Sequence, residues 1–129
     1  MDLIRSVSFQ RVVRRLRTTF RTSLGEKQTL TSVLVRILLD DGFQGVGEVP
    51  TSFTYPDQGL AVVSRVLRDA GQRLEGTPIG TYGEHIALLR QKFPYASMAL
   101  SGLEVALFRA FLDAQGRSEH TYWGGRSQV

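Results

Sequence analysis

The stretch TSVLVRILLDDGFQGVGEVP, residues 31–50, decides the fold. Val33, Val35, Ile37 and Leu39 fall on one face of an extended chain, and Leu34, Arg36 and Leu38 on the other. This period of two in a β-branched run predicts a strand. Asp40-Asp41-Gly42 then reads as a hairpin turn, because glycine tolerates positive φ. FQGVGEV returns as an antiparallel strand. Its Gly45 and Gly47 take side chains out of the strand and predict either a bulge or a close approach of another backbone. Pro50 closes it.

Working outward, residues 3–12 place Leu3, Val7 and Phe9 at alternate positions, an imperfect alternation that predicts a first strand. Residues 17–28 are polar, with one glycine and isolated apolar residues, and read as a loop. After Pro50 comes a second loop, Thr51–Pro56, and then the period changes. Leu60, Val63, Leu67, Ala70 and Leu74 recur at helical spacing, with Asp57 able to cap the start and Gly76 and Pro78 ending the helix. Thr81-x-x-Glu84 has the form of a capping box before a short helix carrying Ile86, Leu89 and Phe93, which Pro94 ends. A third helix, about 97–115, has Leu100, Leu103, Leu107, Phe111 and Ala114 on one stripe. A second apolar stripe, Val105, Phe108 and Leu112, lies roughly 110–120° away. A helix apolar on two faces predicts two partners, one of them within the domain or outside the chain. Ser101-x-x-Glu104 is a second capping-box pattern. Beyond Gly116 the tail predicts a short helical turn with Tyr122 and Trp123. The expected architecture is a single α+β domain over residues 1–129: a three-stranded antiparallel β-meander followed by a three- to four-helix subdomain.

Composition narrows the chemistry. The chain has 129 residues, 42% hydrophobic and 22% charged, the balance of one soluble globular domain. It contains no cysteine, which excludes disulfides and thiolate zinc sites. No apolar run reaches the ~18 residues of a membrane span, and the N-terminus lacks a signal-peptide core, so a cytoplasmic protein with no membrane partner is expected. The net charge of +4 is concentrated in Arg11, Arg14, Arg15, Arg17 and Arg21. These residues would suit a phosphate or carboxylate patch. No aromatic ladder accompanies them as single-strand binding would require, so a solvated strand end is the stronger reading and nucleic acid the weaker.

No complete catalytic site is visible. His85 and His120 are far apart on different elements, Asp40-Asp41 is first a turn, and Glu48 at a strand end is expected to pair with a nearby arginine. There is no Gly-x-Ser-x-Gly nucleophile elbow, and Gly42-x-x-Gly45-x-Gly47 opens no helix to meet a phosphate. The two loops carry more. Thr18–Gly25 contains Phe20, Arg21 and Leu24, and Pro50–Pro56 contains Thr51, Phe53 and Tyr55. Together they read as a lid over a small polar ligand, reading substrate and excluding water while the chemistry sits elsewhere.

The order of these segments resembles the N-terminal capping domain of the enolase superfamily, in its mandelate racemase and muconate lactonizing branch. The resemblance rests on VLVRI leading through DDG to GVGE, on FRTSLGEKQTLTSVLVRI (residues 20–37), which is similar to dipeptide epimerases, and on ALSGLEVALFRAFLDAQGRSEHTYWGG (residues 99–125). It implies a substrate-specificity and closure domain of a Mg²⁺-dependent racemase or epimerase. Such an enzyme removes a proton α to a carboxylate, with lysine bases and Mg²⁺ ligands on a C-terminal (β/α)₇β barrel. That barrel is the implied partner, on the same or a neighbouring polypeptide, with a small carboxylate or dipeptide as substrate; a homo-oligomer stays open. The chain stops where such a barrel begins, so no catalytic residue or metal ligand falls within it, and alone it is expected to be inactive. By position the specificity residues are Phe20, Arg21, Leu24, Thr51, Phe53 and Tyr55. Two departures stand out: Val12–Arg17 contains no proline, and Gly25 falls where some dipeptide epimerases carry a basic residue. The cap of a lyase or cycloisomerase such as o-succinylbenzoate synthase, and a stand-alone anion-binding module, are the alternatives.

Overall fold

The computed structural model describes residues 2–22, 25–51 and 59–116, with side chains throughout except at 16–22 and 25–29. Three strands, β1 (Ile4–Thr22), β2 (Gly25–Leu39) and β3 (Gln44–Pro50), form an antiparallel sheet in the order β1-β2-β3. Three helices follow, α1 (Leu60–Leu74), α2 (Tyr82–Lys92) and α3 (Ser97–Ala114), with a 3₁₀ turn at Ile79–Thr81. This is the expected meander and helical subdomain.

One face of the sheet is the core face. Val33, Val35, Ile37 and Leu39 are buried on β2, and their β3 partners Val49, Gly47 and Gly45 are buried beside them. Helix α3 lies on this face with Leu100, Leu103, Ala106, Leu107 and Ala110 fully enclosed. α1 adds Val63, Val66, Leu67, Ala70 and Leu74, and α2 adds Ile86 and Leu89. Gly42 takes a φ of 90°, as its turn requires.

Several local expectations are corrected. Residues 17–28 are not a loop: β1 runs to Thr22 and β2 starts at Gly25, so most of the polar segment is paired backbone. The segment's residues are mostly polar, so the period-two signal is missing there although the backbone is paired. The first strand is buried through Ile4, not Leu3. Ile4 pairs with Leu39 and Ser6 with Leu38, so a bulge at Arg5 flips the phase before Val7 and Phe9 come onto the core face. Between β2 and β3 the register is unbroken, so Gly45 and Gly47 mark close approach and not a bulge. Thr81 stands at the start of α2 but makes no side-chain cap; its hydroxyl donates to the Pro78 carbonyl at 2.9 Å within the 3₁₀ turn. Ser101 lies inside α3, which begins at Ser97, so it caps nothing. Gly59 occupies the cap position of α1, while Asp57 lies outside the described residues, as does the tail with Tyr122 and Trp123.

Both edges of the sheet are covered near its turn end. On β1, the Ile4 N–H donates to Thr77 O and the Gly76 N–H to Ile4 O, each at 2.8 Å. On β3, the Gln44 N–H donates to Asp113 Oδ2 and Arg109 Nη1 donates to Val46 O, each at 2.9 Å. Free strand edges invite pairing with other chains, and here the helical subdomain closes them.

Candidate functional site

The opposite end of the sheet is built differently. β1 and β3 run the same way, so the β1–β2 connection and the end of β3 emerge together. β3 ends with Pro50 opposite Ser32, whereas β1 and β2 continue as a two-stranded ribbon to the Thr22–Gly25 pair. Between Arg15, opposite Thr29, and Phe20, opposite Lys27, β1 advances farther than β2, an irregularity that re-aims the ribbon's end. Phe20 and Arg21 stand on this outer part of β1, opposite Lys27 and Glu26. Thr51 is tied to the ribbon's base: its N–H and its Oγ1 both donate to the Thr31 carbonyl at 3.0 Å. The fold therefore brings the backbone of Phe20 and Arg21 and the half-buried Thr51 to one end of the sheet. Leu24, Phe53 and Tyr55 lie outside the described residues.

At the ribbon's base, on the face turned away from the helices, Arg14 Nη1 of β1 contacts Glu48 Oε1 of β3 at 2.5 Å, reaching over β2. Ser32 of β2 sits beneath, only 5% exposed. Arg14 first, and a hydrogen bond from Ser32 second, hold the Glu48 carboxyl below its ordinary pKa, against a smaller upward push from burial. The expected arginine partner of Glu48 is thus Arg14. Ser32 was not foreseeable: a serine among apolar residues gives no sign that an ion pair will cover it.

Beside Glu48, a hollow of about 280 Å³ runs between β3 and the first half of α3, lined by Pro50, Ser97, Met98, Ser101 and Val105. The second apolar stripe of α3 divides here. Val105 is 39% exposed and Phe108 half-buried, while Leu112 is enclosed. Part of that stripe serves the domain, and part faces outward. Arg109 and Asp113, one helical turn apart in the polar sector, are the residues that cover the β3 edge.

Among the described residues no three His, Asp or Glu side chains converge to hold a metal ion, so these residues do not form a Mg²⁺ cradle. His85 is half-buried on α2 with its Nδ1 enclosed and without a hydrogen-bond partner, and His120 lies outside the described residues. No helix among the described residues is long and apolar enough to cross a membrane.

Against known proteins, residues 4–122 match the mandelate racemase / muconate lactonizing enzyme N-terminal domain. That match takes in nearly the whole chain, and the chain belongs to this family. A mandelate racemase/muconate lactonizing protein from Herpetosiphon aurantiacus superposes with a TM-score of 0.84 at 24% identity, over 95% of this chain and 34% of that one. A dipeptide epimerase from Cytophaga hutchinsonii, solved with Mg and D-Ala-L-Val, gives 0.85 at 22% identity, over 98% of this chain and 34% of that one. One from Enterococcus faecalis, solved with Mg and L-Leu-L-Tyr, gives 0.74 at 21%, over 82% and 30%. The chain thus spans about a third of the length of these solved structures. No curated protein matches it.

Proposed function

We propose that this domain recognises substrate for, and closes the active site of, a Mg²⁺-dependent racemase or epimerase that removes a proton α to a carboxylate, with dipeptides as the substrate class. One observation carries the reading: the ribbon bearing Phe20 and Arg21 and the segment beginning at Thr51 leave the same end of the sheet, beside each other. Two polypeptide segments at one end of a rigid sheet can enclose a small molecule and exclude water from it. The dipeptide epimerases solved with Mg and dipeptides share this fold, and they extend well beyond it. The lysine bases and Mg²⁺ ligands belong, in this reading, to a barrel that follows the domain. Bound there, Mg²⁺ would stabilise the negative charge formed when the α-proton leaves. The role of this chain is to bind and orient the substrate through Phe20, Arg21, Leu24, Thr51, Phe53 and Tyr55.

The test uses the polypeptide as it is encoded, with any residues downstream of Val129. It is incubated with Mg²⁺ and a panel of dipeptides in D₂O, and loss of the α-proton signal is followed by NMR. Exchange is expected with a subset of dipeptides, with the selectivity among them shifted by Arg21→Ala and Thr51→Ala. No exchange on any dipeptide would reject the substrate class. Exchange by residues 1–129 alone would reject the division of labour.

A further inference from the structure

Beyond the Val13–Thr31 pair the β1–β2 ribbon has no third strand among the described residues, and an isolated two-stranded ribbon is marginal in water. Its angle to the body of the domain is therefore set at its base. Contacts among the described residues cross there. Arg14 of the ribbon reaches over β2 to Glu48 of β3; Ser32 lies buried under the pair and hydrogen-bonds Glu48; the N–H and hydroxyl of Thr51 hold the Thr31 carbonyl. β3 is itself seated on α3 through Gly45 and Gly47, so Glu48 belongs to the rigid body and Arg14 to the projecting ribbon. The two side chains meet across the intervening strand, so their contact couples the lean of the ribbon to β3.

We infer that Arg14 and Glu48 are positioning residues: their ion pair across β2 fixes the ribbon, and with it Phe20 and Arg21, relative to the body of the domain. That these two residues read substrate rests on the function proposed above; the mechanical link does not. Arg14 and Glu48 touch no substrate in this reading. They act by setting where the recognition residues stand.

The experiment is amide hydrogen exchange on the polypeptide as it is encoded, read residue by residue, without substrate. Glu48→Gln keeps the shape and removes the charge. It is expected to speed exchange about two- to fivefold in the ribbon, Val13–Thr22 and Gly25–Leu30, and at Thr51, while α1 and α3 are unchanged; this is the range of an exposed ion pair. The charge-reversed pair Arg14→Glu/Glu48→Arg is expected to restore the wild-type rates. In the wild type, raising salt to ~1 M should reproduce the Glu48→Gln pattern without any substitution, because that screens an exposed pair. Ribbon rates that do not move in Glu48→Gln or in salt, or that stay fast in the reversed pair, would overturn the inference. Where a dipeptide is turned over, Glu48→Gln should raise KM more than it lowers kcat, and the reversed pair should recover KM. A protein that turns over no dipeptide but shows the exchange pattern would sink the proposed substrate and leave the positioning pair standing.

Discussion

Gly47 of β3 lies against the carbonyl of Gly102 in α3, so close that a methyl group on Gly47 would fall on that oxygen. Gly45 meets the backbone of Ala106 and Ala110 in the same way, one turn further along the helix. Neither neighbour can rotate aside, because both are main chain. Gly47→Ala must push α3 off the sheet, and it is expected to destabilise the domain by about 3 kcal/mol, the upper end for an overpacked core. Gly83, in the first turn of α2, has open space where its Cβ would stand. Gly83→Ala is expected to stabilise by up to about 1 kcal/mol through helix propensity and a less disordered unfolded chain. Denaturant unfolding of the two variants checks both signs.

Glu48 links stability to pH. Its carboxyl is held below the ordinary value of 4.5, chiefly by Arg14. The folded state therefore binds this proton less readily than the unfolded state. The contribution of the pair is fully present above the unfolded value and fades as pH falls through the lowered folded one. Wild type should exceed Glu48→Gln by a constant margin of about 0.2–1 kcal/mol near neutral pH, the range for an exposed pair. The margin should shrink below pH 4.5. A margin that grew on acidification would reverse the assignment.

The hairpin from Thr31 to Pro50 was legible because it is buried on one face: each residue of Val33, Val35, Ile37 and Leu39 is committed to the core, and the alternation reports it. The glycines of β3 were legible in part, since a missing side chain signals an approach without naming what approaches. The outer ribbon was not legible, because a mostly polar run carries no alternation to mark a strand. The bulge at Arg5 was hidden for a related reason: a one-residue shift makes a good alternation look like a poor one. Capping boxes misled at Thr81 and Ser101, where the hydroxyl of a short turn and the interior of a longer helix overrode a local pattern. Of the site, the two segments were placed by their order along the chain. The pair that braces them needed three strands in register before Arg14 and Glu48 could be seen to meet.

Asp2 shows the opposite linkage from Glu48. Its carboxyl lies beside that of Asp41 in the turn between β2 and β3, and a hydrogen bond that forms when Asp2 is protonated, with desolvation and the Asp41 charge, raises its pKa above the ordinary 3.8. A raised carboxyl favours the folded state most below its unfolded value, and the benefit is lost as pH rises through the folded one. Asp41→Asn replaces a like charge with an amide that can donate to the Asp2 carboxylate. The Asp2 titration midpoint, followed by carboxyl NMR, should fall back toward 3.8. The variant should also melt slightly higher than wild type at pH 7 and not at pH 3.

The edge of β3 offers a different kind of test. At the Gln44 and Val46 positions, backbone groups that would otherwise face solvent are held by Asp113 and Arg109, one turn apart on α3. Both contacts are exposed, so water can replace either partner, and the stability of Arg109→Ala/Asp113→Ala should fall by only about 1 kcal/mol. The larger consequence is for association. The side chains also set charges along the covered edge, and with them gone β3 presents unpaired donors and acceptors at Gln44 and Val46 to any other strand. The bonds of Ile4 with Thr77 and Gly76 cover β1 separately, so the new behaviour should arise from β3 alone. Sedimentation velocity is expected to show the double variant shifting with concentration to species larger than the wild type forms at the same concentration. Lysine introduced at Gln44 in the double variant should reverse the shift, since a charge on the exposed edge opposes pairing whatever the helix contributes. Association that persists with Gln44→Lys would place the contact elsewhere on the domain.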